Sequence, residues 1–175
     1  MQKVMTWYKR FGWVKFAGAT ISGMSVMLMM LVIFADVFSR NFLSGSITGV
    51  LEIVQNYFMP LAVFPGLAYV YASGILPKMD LLIAKLNQNV QYAVINLLLI
   101  LEFILFALVV YYTFEYALFG MHENISFSAG GTLFPIYPLF FLAPLGFLLL
   151  MIEIVFIVVV NIVNKRPVFT IEQPE

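Results

Sequence analysis

The chain contains no cysteine and a single histidine, His122. Disulfide staples, thiolate metal centres, cysteine nucleophiles and a bis-histidine haem are therefore all excluded within it. Charge is scarce as well, at 10% of 175 residues against 63% hydrophobic ones, where a soluble domain carries roughly 25% charged side chains. No Walker-type phosphate loop is present. The serines of Ser44-Gly45-Ser46 have no histidine or lysine beside them to complete a nucleophilic site.

What the chain has instead is four long apolar runs, at about 16–38, 47–71, 90–119 and 133–163. Each is long enough for the ~20 helical residues that cross a ~30 Å hydrocarbon layer. Strict alternation is absent, which favours helices over barrel strands. The pattern predicts an all-α, polytopic membrane protein with four transmembrane helices in one domain, 1–175, plus short interfacial amphipathic helices. One such helix is expected at 1–15, where Trp7, Arg10, Trp13 and Lys15 have the character of membrane-interface anchors. A second is expected at 74–89 on the cytoplasmic surface, and 164–175 reads as a polar tail. Pro60 and Pro65 should kink or unwind the second span, and Pro144 should bend the fourth. The segment 120–132 has the Ser, Asn and Gly content of a turn region.

Eight of the nine basic residues fall on one side when the connecting segments alternate: Lys3, Lys9, Arg10, Lys15, Lys78, Lys85, Lys165 and Arg166, against Arg40 alone. Basic residues accumulate on the cytoplasmic side, so both termini should be cytoplasmic and the segments holding Arg40 and His122 should face outward.

Charges within or beside the apolar runs are the candidates for function, because an unpaired charge there is costly. Asp36 and Arg40 share a helical face and can pair, while Glu52 opens the next run on the same side. A structural ion pair or triad joining spans one and two is the simpler account of these three; contact with a partner chain or a conducted ion is the sharper one. Glu102 and Glu153 fall at a similar depth on antiparallel spans, where two carboxylates repel one another unless one carries a proton. Partner contact or packing is favoured there over a proton relay, because the two spans hold few other polar groups. Glu115 and His122 read as solvated surface residues.

The order of features resembles the small, four-span DctQ-type membrane subunit of tripartite ATP-independent periplasmic (TRAP) transporters. The resemblance is carried by Asp36-Val37-x-x-Arg40-Asn-Phe, Ile47-Thr-Gly-Val-Leu-Glu52, Gly74 through Met79-Asp80-Leu-Leu, Thr132-Leu-Phe-Pro-Ile-Tyr-Pro-Leu and Pro144-Leu-Gly-Phe. It departs at Leu76-Pro77, where many members carry a histidine and an aliphatic residue, and in lacking a tryptophan before Glu52. The resemblance implies a bacterial inner-membrane scaffold subunit of a sodium-coupled secondary transporter for organic anions such as a C4-dicarboxylate or sialic acid. Its implied partners are a large multi-span elevator-type subunit, a periplasmic substrate-binding protein and membrane lipids, with no nucleic acid. No cofactor is implied in this chain, and sodium is expected at the large subunit. Asp36, Arg40, Glu52, Asp80, Glu102 and Glu153 are then structural or partner-contact candidates, with no catalytic, cofactor or metal role. Two other readings stay open: a self-sufficient channel or exporter built as a homo-oligomer, and a membrane anchor of a redox complex.

Overall fold

The computed structural model describes residues 2–42, 45–74 and 87–164. Its first element, α1, is one unbroken helix over Gln2–Phe42. At 1.5 Å per residue its 41 residues extend about 60 Å, twice the thickness of a hydrocarbon layer. The expected boundary between an interfacial helix at 1–15 and a separate first span is therefore absent. The physical reason lies in which residues turn inward. Tyr8, Lys15, Gly18, Ser25 and Asp36 are buried, with Phe11, Ser22, Met29 and Val32 partly buried between them. They recur at alternating steps of three and four, the spacing of a helix seam. Because the seam runs through Lys15 without changing phase, the N-terminal turns keep packing on the bundle instead of leaving it. The seam is also inverted in polarity: small and polar side chains face in, and Phe16, Met24, Met27, Leu31 and Phe34 face out.

The second apolar run is not a continuous helix. It divides into α2 (Val50–Ile53), a π-helical turn (Val54–Phe58), α3 (Met59–Val63), a turn at 64–66 and α4 (Leu67–Ala72). Pro60 has no amide for the carbonyl of Asn56 and Pro65 none for that of Leu61, so each proline breaks the ladder one turn before itself. Helix α1 meets the consequences. The Ser25 hydroxyl donates to Phe58 O at 2.9 Å and that of Ser22 reaches Leu61 O at 3.5 Å. A Cβ at Gly18 would collide with Pro65 O, and one at Gly146 would lie 2.6 Å from Phe64 O, so the turn is clasped between two glycines. The kinked or unwound second span expected from the prolines is present as a broken helix, and among the described residues three helices are long and apolar enough to cross a membrane, covering Thr6–Phe42, Val90–His122 and Tyr137–Val163.

The third and fourth runs form α5 (Gln88–His122) and α7 (Leu142–Asn164), joined by a short hairpin and α6 (Tyr137–Phe140). Helices α5 and α7 pack along one another, and with Tyr71 from α4 they build the core of Ile95, Leu99, Leu150, Ile154 and Ile157. Pro144 lacks the amide that would pair with the Phe140 carbonyl, and the helix breaks at Phe141, between α6 and α7.

The all-α expectation holds, and the turn region expected at 120–132 adds one short hairpin, in which β1 (Ser126–Ala129) pairs antiparallel with β2 (Thr132–Pro135). Gly130 and Gly131 form the two-residue connection with φ of +58° and +87°, the left-handed pair that matches the twist of a tight hairpin. The hairpin tip sits on the chain leading into α2: a Cβ at Gly49 would lie 2.7 Å from Gly130 N. Tyr57 donates to Pro135 O at 2.6 Å and packs on Phe127. Of the interfacial helix expected at 74–89 only the ends are described, and Asp80 and the tail beyond Asn164 lie outside the described residues.

Candidate functional site

Two groups of charges lie at opposite ends of the bundle, with one acid between them. At the inner end, Lys15 Nζ is 2.8 Å from Glu153 Oε2 and their side chains are 3% and 0% exposed. Tyr8 completes the group, donating to Glu153 Oε1 at 2.7 Å while its hydroxyl oxygen accepts from Lys15 Nζ at 3.1 Å. The ammonium also stands 4.3 Å from the centre of the Tyr8 ring and 5.4 Å from that of Phe11. Phe156 stacks against both rings and closes the site. Both carboxylate oxygens and the cation therefore have partners, the condition under which a buried ion pair is tolerated. Lys15 is thus not an interface anchor, and Glu153 is neither a partner-facing acid nor the neighbour with which Glu102 shares a proton. Trp7, Arg10 and Trp13 are exposed, as membrane-interface anchors would be.

Glu102 belongs to a different contact. Tyr71, on α4, donates to its Oε2 at 2.6 Å across the space between α4 and α5. Tyr71 is buried in the core, whereas Glu102 is partly exposed at its margin.

At the outer end Asp36 Oδ2 pairs with Arg40 at 2.7 Å, and Asp36 Oδ1 accepts the Ile47 amide at 2.9 Å. The Ser39 hydroxyl adds a 2.8 Å bond to Gly45 O. One carboxylate thereby neutralises a charge on its own helix and fixes the chain that turns toward α2. Of the ion pair or triad expected, the structure shows the Asp36–Arg40 pair; Glu52 is exposed and forms no salt bridge among the described residues. Glu115, His122 and Glu123 are exposed, although His122 ends α5.

Sequence reasoning missed Tyr8, Tyr71, Ser22 and Ser25. The signal for Tyr8 was its place seven residues before Lys15 on the seam of α1. For the serines it was their phase on that same seam, opposite a proline-broken helix.

No group of histidine and acidic side chains able to hold a metal is present among the described residues. Among the described residues the cations Lys15 and Arg40 are paired with Glu153 and Asp36. A family profile for the DctQ component of tripartite ATP-independent periplasmic transporters matches residues 29–165. The chain belongs to the DctQ family. Comparison with curated proteins and with solved structures gives no significant match. The DctQ family is a transporter component, not an enzyme family, and its members work with a large membrane subunit and a periplasmic binding protein. The DctQ match takes in Asp36, Arg40, Glu52, Glu102 and Glu153 but begins after Tyr8 and Lys15. The inner ion pair therefore joins the matched region to a helix turn that precedes it.

Proposed function

We propose that this chain is the scaffold subunit of a sodium-coupled, binding-protein-dependent uptake system, a fixed wall against which a large elevator-type subunit moves an organic anion. The observation that carries this is the pairing of the described cations beside the apolar core. Lys15 is spent on Glu153 and Arg40 on Asp36, whose second oxygen takes the Ile47 amide. An anion pathway needs open, positively charged or amide-lined space near the bilayer middle, and among the described residues no cation is left there to line it. The outward surface of α1 and α5 is broad and apolar, suited to lipid and to other transmembrane helices.

In this arrangement the protein lies in the bacterial inner membrane with both termini cytoplasmic, the hairpin and Arg40 outside, and 50–72 crossing as a broken fourth traverse. The sodium and solute sites belong to the large subunit, and the solute is a C4-dicarboxylate, sialic acid or a similar carboxylate. The hairpin side faces the binding protein. The test is purification of the tagged chain from native membranes in mild detergent, with mass spectrometry of bound partners. Recovery of a large multi-span subunit in equal amount is expected, and sodium-driven uptake in proteoliposomes only when that subunit and the binding protein are present. Uptake by this chain alone would overturn the scaffold assignment.

A further inference from the structure

Glu102 stands 12 residues after Val90 and 17 before Phe119 within the apolar stretch of α5. That is about 18 Å and 25 Å of helix to either end, so the carboxyl lies deep in the hydrocarbon layer. Its Oε2 is taken by the Tyr71 hydroxyl, and its Oε1 has no hydrogen bond among the described residues. Unlike Glu153, it is not sealed in: the residue is partly exposed, and the helix beside it carries Leu101 and Leu105, more than half exposed. Helices α4 and α5 each pack on α7 and touch one another little, so the Tyr71–Glu102 bond bridges a groove between them. Glu102 lies at that groove, an acid with one oxygen free of hydrogen bonds among the described residues in an otherwise apolar face. Such a group in lipid is costly and characteristically meets a partner of opposite charge.

We propose that Glu102, held in place by Tyr71, is the docking point for an arginine or lysine on a transmembrane helix of the large subunit, which lies along the α4–α5 groove. This rests on the scaffold assignment above. Charge complementarity selects the occupant. A lipid acyl chain leaves Oε1 unpaired, and in a second copy of this chain the described intramembrane cation, Lys15, is already buried against Glu153. Tyr71 orients the carboxyl by fixing Oε2, so that Oε1 points to the incoming donor.

The test places a photo-crosslinking amino acid at Leu105 or Leu101 in the otherwise wild-type chain, co-expressed with the large subunit in native membranes. The expected product is a crosslink to a helix of the large subunit that carries a basic residue within one turn of the attachment point. Glu102→Leu should then lower co-purified large subunit at least tenfold, and Glu102→Gln, which removes the charge but keeps an acceptor for Tyr71, should lower it similarly while the melting temperature of the small subunit alone stays unchanged. Replacing that basic residue by leucine in the Glu102→Leu background should cost little more. Crosslinks to lipid only, to a second copy, or to a helix without a basic residue would overturn the proposal. So would unchanged recovery with Glu102→Leu. If wild-type chain recovers no large subunit at all, the scaffold assignment itself fails; if it does but the groove stays free of that subunit, only this docking point fails.

Discussion

Lys15 and Glu153 stand 2.8 Å apart with neither side chain reaching solvent or lipid, so removing one strands the other. An uncompensated buried charge costs about 3–5 kcal/mol, whereas replacing a whole pair by apolar groups of similar size is often neutral or stabilising. Lys15→Met and Glu153→Leu should each lower the unfolding midpoint of the purified protein sharply, and the double variant should recover most of the loss. Denaturation in mixed micelles, followed by circular dichroism, measures all three. Strictly additive losses would show that the pair is not coupled. Tyr8→Phe removes one hydrogen bond to each member and should cost about 1–3 kcal/mol in the same assay. Residue pairs of this kind differ in how visible they are in the sequence. Asp36 and Arg40 could be read off because a helix brings positions four apart together. Lys15 could not be assigned to Glu153 across 138 residues of sequence. A lysine at the end of an apolar run also fits a snorkelling headgroup contact equally well.

Elements in this bundle are positioned by small residues as much as by large ones. Gly18 admits the carbonyl of Pro65 against α1, while Gly23, on the outward side of the same helix, has open space where a Cβ would go. Gly18→Ala must push the turn at 64–66 away from α1 and should lower stability by several kcal/mol, as overpacking and lost carbonyl contacts combine. Gly23→Ala should be neutral or stabilising by up to ~1 kcal/mol, because alanine is the better helix former. The pair is informative in one thermal-melting series. Equal effects at both positions would mean that the contact with Pro65 does not matter. Prolines announced the broken second helix in the sequence, since their missing amides are a local property. Which hydroxyls would repair it was not local: Ser22 and Ser25 gain meaning only once α1 lies beside Leu61 and Phe58. The hairpin at 126–135 escaped notice for a related reason. Strands of four residues, Ser-Phe-Ser-Ala and Thr-Leu-Phe-Pro, carry too little alternation to signal themselves.

At the scale of the whole molecule, apolar runs made the membrane class legible, and the ordered motifs from Asp36 to Pro144 made the family so. What the runs could not convey is that α1 continues well past the expected span at 16–38, back to Gln2. Helix length in the sequence counts residues, and the traverse of the membrane depends on what those residues pack against. The distribution of bases predicts cytoplasmic termini, and the chain's lack of cysteine makes that orientation directly testable. Single cysteines at Glu52 and Glu123, both exposed beside the hairpin end, should react with a membrane-impermeant maleimide added to intact spheroplasts. A cysteine at Lys9, near the opposite end of α1, should react only after the membrane is permeabilised. Labelling at Lys9 in intact spheroplasts, with Glu52 and Glu123 protected, would invert the topology. The hairpin would then face the cytoplasm, where a periplasmic binding protein has no access to it. That experiment thus decides whether the surface built by Gly49, Gly130 and Tyr57 lies on the side from which the solute arrives.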